Sequence, residues 1–319
     1  MCSVEVWTWG TGGAYGREFG LTKTQRDARL RRGQSSASLI VDDRNIVIDA
    51  GPQCAETMID NDAPVPEIVF LTHEHIDHCG GLDQLAKSRA RSMILTAGDT
   101  DFAPPRLIVI GTEACLTRPP RGVSLGTSHV NDIVRWVPIP DMNTWFAVDP
   151  ASENLTPSDQ AARAPDRAFV EFKAMDLFHT EHAPGACMYV FRITDPDGQV
   201  KRVIFSGDFC SIDADVLADS DIQKADLAVL ETNTIRVPGV GHSTLEQNLK
   251  ILQGWYDDQD AATIVLTHIG GYEDCPRGSY DHVPDDSDWL RELDEARARG
   301  EIPKTLNVQI AHDGASYPV

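Results

Sequence analysis

The segment Leu71-Thr72-His73-Glu74-His75-Ile76-Asp77-His78-Cys79-Gly80-Gly81 constrains this chain more than any other. It follows the β-branched run Ile68-Val69-Phe70-Leu71 and precedes a helical pattern from Leu82 to Ser88, so it lies where a buried strand hands over to a helix. His73, His75, Asp77 and His78 are all metal-ligand types. On a strand end His73 and His75 lie two apart and point the same way, while Asp77 and His78, where the chain turns, face a second point nearby. That arrangement suits two cations side by side. Imidazole and carboxylate donors favour Zn²⁺, with Mn²⁺ and Fe²⁺ as competitors. The competing reading, a polar loop whose histidines only cap the next helix, is disfavoured by the density of donors.

Further acids and histidines follow other strand-like runs: Asp49 after Ile46-Val47-Ile48, Asp208 after Arg202-Val203-Ile204-Phe205-Ser206-Gly207, and His268 after Thr263-Ile264-Val265-Leu266-Thr267. Open α/β sheets put their sites at such strand ends. Ser38–Val41, Leu107–Ile110 and Leu227–Leu230 also read as buried strands. Helices are expected over Ser243–Tyr256, behind a Ser-Thr-x-Glu capping signal, and over Asp288–Arg299, with acids first, arginines last and Gly300 as a stop. Strands alternating with helices give an α/β protein. Ala147–Ala168, Thr100–Pro105 and Gly278–Asp286 show no period and read as surface loops or insertions. The 319 residues are therefore expected to form one domain with a loop insertion near 147–168.

Composition narrows the function classes. A net charge of −21 makes nucleic acid a poor partner. No apolar run approaches the roughly 18 to 20 residues of a membrane-spanning helix, and the beginning of the sequence has no basic stretch ahead of an apolar one. The 7 cysteines are scattered, with no C-x-x-C pair, which disfavours a disulfide framework or a four-thiolate zinc site and suits a reducing cytoplasm. Trp7, Trp9, Trp136 and Trp145 could stack on a base, but core packing is the expected use. The basic run Arg26, Arg29, Arg31 and Arg32 reads as a solvated face, with contact to a small anion as the alternative.

The succession Asp49, T-H-x-H-x-D-H, a lone histidine, Ser-Gly-Asp208 and Leu-Thr-His268 resembles the metallo-β-lactamase superfamily, in the family's order and over most of the chain. The resemblance implies a four-layer αββα sandwich with two metal ions at one edge of its sheets. It implies that His73, His75 and a third histidine hold one metal, that Asp77, His78 and His268 hold the other, that Asp208 bridges them, and that Asp49 orients the ligands from behind. For the third histidine, His179 and His182 compete. In the phosphodiesterase branch this ligand precedes a Gly-Tyr pair by seven residues; Tyr189 stands at that distance from His182, although Met188 replaces the glycine. His182 is therefore expected to ligate, with His179 as a neighbour.

Order also bears on the reaction. Gly241-His242-Ser243-Thr244 comes after Asp208, preceded by Glu231, and this resembles the tRNA 3′-processing endonucleases (RNase Z) and the cyclic-phosphate phosphodiesterases. Thr11-Gly12-Gly13, Ser35-Ser36 and Asp313-Gly314 resemble the same branch. The resemblance implies Asp77, His242 and Glu231 as catalytic residues, His242 giving a proton to the leaving oxygen and Glu231 orienting it. Gly20–Gly33 lacks the cysteine cluster of the phosphonate-pathway phosphodiesterases, so their extra structural zinc is not expected. Lacking a basic arm, the chain is read as acting on a small anionic phosphodiester, with a homodimer left open. The alternatives are a hydrolase of carbonyl esters, lactones or thioesters, an endonuclease, and a non-hydrolytic relative serving cofactor biosynthesis.

Overall fold

The computed structural model describes residues 2–13, 32–99, 101–117, 132–150, 154–257, 261–270, 274 and 284–319. Its β-branched runs pair into two sheets. The first contains β1 (Val4–Gly10), β2 (Ser36–Val41), β3 (Arg44–Ile48), β4 (Pro66–Phe70), β5 (Leu107–Gly111), β6 (Val134–Pro138) and β15 (Ala315–Pro318), in the order β15-β1-β2-β3-β4-β5-β6. The second contains β7 (Phe146–Ala147), β8 (Thr156–Pro157), β9 (Phe169–Asp176), β10 (Cys187–Thr194), β11 (Val200–Phe205), β12 (Leu227–Glu231), β13 (Ala262–Thr267) and β14 (Leu306–Ile310), in the order β14-β13-β12-β11-β10-β9-β7-β8. From β3 to β6 and from β11 to β14 neighbouring strands run parallel.

Side-chain alternation builds the layers. Ile68 and Phe70 of β4 join Phe172, Tyr189, Phe191, Phe205 and Val229 in a core between the sheets. Val69 and Leu71 instead face Cys54, Ala55 and Met58 of α1 (Cys54–Asp60) and Leu82, Leu85 and Ala86 of α3 (Leu82–Ala97), the short α2 (Ile76–Cys79) intervening. On the outer face of the second sheet, Ile204, Leu230 and Leu266 pack on Leu245, Leu249 and Leu252 of α6 (Leu245–Trp255) and on Trp289 and Leu293 of α7 (Asp286–Arg299). Three apolar layers between four layers of elements make the αββα sandwich expected from the resemblance. The short α4 (Glu113–Thr117) and α5 (Ala214–Leu217) complete the described helices.

Several local expectations change. α3 runs on to Ala97 because Arg89, which interrupts the apolar pattern, is buried and donates to the Pro66 carbonyl at 2.6 Å and the Pro105 carbonyl at 2.7 Å. The α6 cap is Thr244 with Gln247, not Ser243 with Glu246, and α7 is capped by Asp285 with Asp288. The 147–168 segment is not wholly loop, since Thr156 pairs with Ala147. Trp9 is buried against Trp7, with ring centroids 5.2 Å apart, and Trp145 lies under the Arg192 guanidinium at 4.0 Å, so these tryptophans pack. Of the basic run, Arg26, Arg29 and Arg31 lie outside the described residues; Arg32 is paired with Asp286 at 2.8 Å. Residues 278–283 and most of 20–33 also lie outside the description. Among the described residues no helix is long and apolar enough to cross a membrane.

Candidate metal centre

The carboxyl ends of β3, β4, β11, β12 and β13 converge: Glu231 is the last residue of β12, and the loops leaving the other four carry Asp49, His73 with His75, Asp208 and His268. Two of these loop residues have left-handed backbone, Asp49 with φ 58° and His268 with φ 61°, which turns the chain sharply out of each strand. The donor atoms of His73, His75, His179 and Asp208 lie within 4.8 Å of one another, as do those of Asp77, His78, Asp208 and His268. Asp208 belongs to both groups. His182 belongs to neither: it is exposed, with its backbone N–H on the Thr180 hydroxyl at 3.2 Å. The seven-residue spacing to Tyr189 is thus not matched by the structure, which brings His179, three residues beyond the end of β9 at Asp176, into the group in place of His182.

Three of these imidazoles, His73, His78 and His179, are oriented by what their Nδ1 meets. His78 Nδ1 is 2.7 Å from Asp49 Oδ2, leaving Nε2 toward Asp208 Oδ1 at 3.2 Å. Asp49 also accepts the Thr72 backbone N–H at 2.8 Å and the Thr72 hydroxyl at 2.7 Å, and that hydroxyl oxygen lies 3.1 Å from His73 Nδ1. His179 Nδ1 is 2.5 Å from the Gly241 carbonyl, an acceptor, so Nε2 carries the lone pair. That nitrogen stands 3.1 Å from His75 Nδ1. His268 Nε2 lies 3.2 Å from Asp208 Oδ2 and 3.3 Å from Asp77 Oδ2. Thr72 and Gly241 are the members that motif reading passed over, since each acts through backbone or hydroxyl geometry that no ligand pattern records.

Charge sorts these groups. Burial, reinforced by the charge of His78, holds His73 well below the usual histidine range, and burial takes His179 down to about 4. Burial also disfavours the charged form of His78, but Asp208, Asp49 and Asp77 outweigh it and raise His78 well above its ordinary value. Asp77 is held at about 2 and Asp208 well below its ordinary value, burial being overcome by His78 and His268 in both cases. Neutral imidazoles and ionised carboxylates are the states that ligate metals, so His73, His179, Asp77 and Asp208 already stand in them, while a cation taken up beside His78 would displace its proton.

The residues fit a pair of cations. Among the described residues, His73 Nε2, His78 Nε2 and Asp208 Oδ2 are buried with no hydrogen-bond partner. They point at one another, His73 Nε2 standing 3.8 Å from Asp208 Oδ2. Lone pairs facing each other in a buried space are costly unless a cation lies between them.

Beside this cluster Glu231, fully buried, places Oε1 3.2 Å from His242 Nδ1 and accepts the Ser243 N–H on Oε2 at 2.9 Å. His242 Nδ1 is also 3.5 Å from Asp208 Oδ2. Burial opposes charge on His242, but the Glu231 hydrogen bond and the Asp208 charge raise it to about 9. A separate groove of about 350 Å³ between α6 and α7 is lined by Arg236, Glu246, Lys250 and Glu292 among others and shares no residue with the cluster.

Comparison with known proteins agrees with this fold. The profile of a family described as the beta-lactamase superfamily domain matches residues 44–269. No curated protein matches by sequence. Among solved structures, a diphosphatase from the PhnP family is 17% identical with a TM-score of 0.62, covering 98% of this chain and 97% of its own. The short form of human tRNase Z is 16% identical with a TM-score of 0.58, covering 98% of each chain. Zn²⁺-bound PqqB from Methylobacterium extorquens is 17% identical with a TM-score of 0.57, covering 99% of this chain and all of its own (100%). At these identities the structures show a shared fold, and it is the profile match over most of the chain that establishes kinship. The protein belongs to the metallo-β-lactamase superfamily, whose members are mostly metal-dependent hydrolases.

Proposed function

We propose that this protein is a hydrolase with two divalent cations, zinc foremost, that cleaves a phosphodiester bond in a small anionic molecule. One position is held by His73, His75 and His179, the other by Asp77, His78 and His268, and Asp208 is shared. Bound there, such cations would acidify a water and neutralise charge gathering on phosphoryl oxygens. The observation that carries the phosphodiester reading is the Glu231–His242 pair beside Asp208. Glu231 takes the Nδ1–H, which leaves Nε2–H as the proton that His242 can give. With its affinity for protons raised to about 9, His242 is charged at neutral pH and can give that proton to the alkoxide released as the P–O bond breaks. A carbonyl substrate whose leaving group is already stable gains less from such a donor. Two structural relatives, a diphosphatase and a tRNase, are likewise named for reactions at phosphate groups. The −21 charge favours a small substrate over RNA, whose backbone such a protein repels.

The test is turnover of a chromogenic phosphodiester against a chromogenic lactone and a thioester, after loading with Zn²⁺ or Mn²⁺. Phosphodiester turnover is expected, with kcat falling roughly 100- to 10,000-fold in His242→Ala at unchanged metal content. Lactone or thioester turnover alone would reject this reading, and tight, salt-dependent binding of tRNA would favour the endonuclease.

A further inference from the structure

Two motifs that the chemistry above leaves without a task, Thr11-Gly12-Gly13 and Asp313-Gly314, meet beside His268. Asp313 Oδ1 accepts the Thr11 backbone N–H at 2.9 Å and the Thr11 hydroxyl at 2.7 Å, and Oδ2 accepts the Gly33 N–H. Arg32 donates to the Thr11 hydroxyl oxygen at 2.8 Å and to the Ala311 carbonyl. The turn held in this way takes the Ile269 N–H on the Thr11 carbonyl at 2.9 Å. It also brings Gly13 flat against the imidazole. A Cβ on Gly13 would stand 2.7 Å from His268 Cε1 and 3.1 Å from Nδ1, closer than side chains tolerate.

The other half of the cluster has a counterpart. Gly241, at φ 85°, accepts His179 Nδ1–H on its carbonyl, and a Cβ there would come within 3.0 Å of both Cε1 and Nδ1 of His179 and 2.3 Å of Thr180 Cγ2. Each cation position therefore has one histidine whose ring is seated against a glycine from a distant loop.

We propose that Gly13 and Gly241 are positioning residues that set the affinities of the two cation positions separately. Gly13, clamped by Asp313 and Arg32, acts through His268 on the Asp77–His78–His268 position. Gly241 acts through His179 on the His73–His75–His179 position. This rests on the two-cation reading above. A methyl group at either glycine pushes one ring out of line and leaves the other half untouched.

The test titrates Co²⁺ and Zn²⁺ into chelator-treated full-length protein, following cobalt absorption and competition with a chromogenic chelator, with thermal melting as the folding control. Wild type is expected to take two equivalents. In Gly13→Ala one equivalent weakens by about ten- to a hundredfold, the usual effect of disturbing a group behind a ligand, while the other is unchanged. Gly241→Ala weakens the other equivalent and leaves the complementary cobalt spectrum. Asp313→Ala, which adds no atom, reproduces Gly13→Ala and carries the test should that variant not fold. Fewer than two equivalents in wild type overturns the two-cation reading itself. Two equivalents in wild type, with both glycine variants unchanged, weakening the same equivalent, or losing both equally in folded protein, overturns the positioning proposal alone.

Discussion

Asp49 holds three groups at once from behind the cluster. Its carboxylate fixes the Thr72 amide, the Thr72 hydroxyl and His78 Nδ1. Asp49→Ala is expected to weaken metal binding by about ten- to a hundredfold, read by competition with a chelator. The same change strands a buried amide, so unfolding free energy should fall by about 1–3 kcal/mol in denaturant titration. At the same scale His179 and His182 part company. His179→Ala is expected to lose one metal equivalent, whereas His182→Ala, altering an exposed side chain, should keep both equivalents and full turnover; the opposite pattern would restore the spacing argument. The choice between these histidines was not legible in the sequence. Both precede the same strand, and what separates them is the Gly241 carbonyl, 62 positions away, that orients His179.

At the scale of elements, α6 carries the loop on which His242 sits. Thr244 Oγ1 accepts the Gln247 N–H at 3.1 Å while Gln247 Oε1 accepts the Thr244 N–H at 2.9 Å. Thr244→Ala should cost about 1 kcal/mol, seen as a lower denaturation midpoint. A capping pattern was visible here before the structure, but one residue early, because Ser243 offers the same chemistry; its hydroxyl instead donates to the Glu231 carbonyl at 2.6 Å. A second inter-element tie gives a pH dependence. Burial disfavours the charge on Asp221, yet hydrogen bonds from Arg192 on β10 and Arg202 on β11 prevail and depress its pKa. A depressed carboxylate stabilises the fold above its unfolded pKa of about 3.9 and loses that effect as pH falls through the folded value. The melting temperature of wild type should therefore exceed that of Asp221→Asn by a constant amount above about pH 5, and the gap should close below about pH 4. A gap that widens in acid would refute the assignment.

For the whole molecule, the central parallel strands β4, β5, β12 and β13 were the most legible part, since each carries a continuous apolar run buried on both faces, whereas β6 and β14, parallel strands at the sheet edges, are broken by polar residues and were not read as strands. β9 was harder to see because Glu171 and Lys173 interrupt it; both are buried, and Lys173 pairs with Asp219 at 2.7 Å. Most residues of the cluster were legible because strand-end acids and histidines have few other uses, His179 being the exception; Thr72, Gly13 and Gly241 stood in visible motifs, but what they touch across the fold was not readable from them. The inter-sheet core centres on Phe70, whose ring lies 4.7 Å from Phe172, 5.0 Å from Tyr189 and 5.1 Å from Phe191. Phe191→Ala should destabilise by about 3–5 kcal/mol, measured by denaturant unfolding, with the loss falling on both sheets together. The −21 charge acts globally as well: raising NaCl from about 10 to 150 mM should raise the melting temperature by screening self-repulsion across a shrinking Debye length.

The bond from the Thr11 amide to Asp313 spans 302 positions, and β1 pairs with β15 from Glu5 opposite Pro318 to Thr8 opposite Ala315. Contacts of such sequence separation close slowly, because the chain must search through the largest possible loop. During synthesis on the ribosome, His73, His75, His179 and Asp208 can gather before the residues that seat His268 have emerged. In chain order one half of the cluster, with its seat at Gly241, is complete before Asp313, which clamps the seat of His268, is reached.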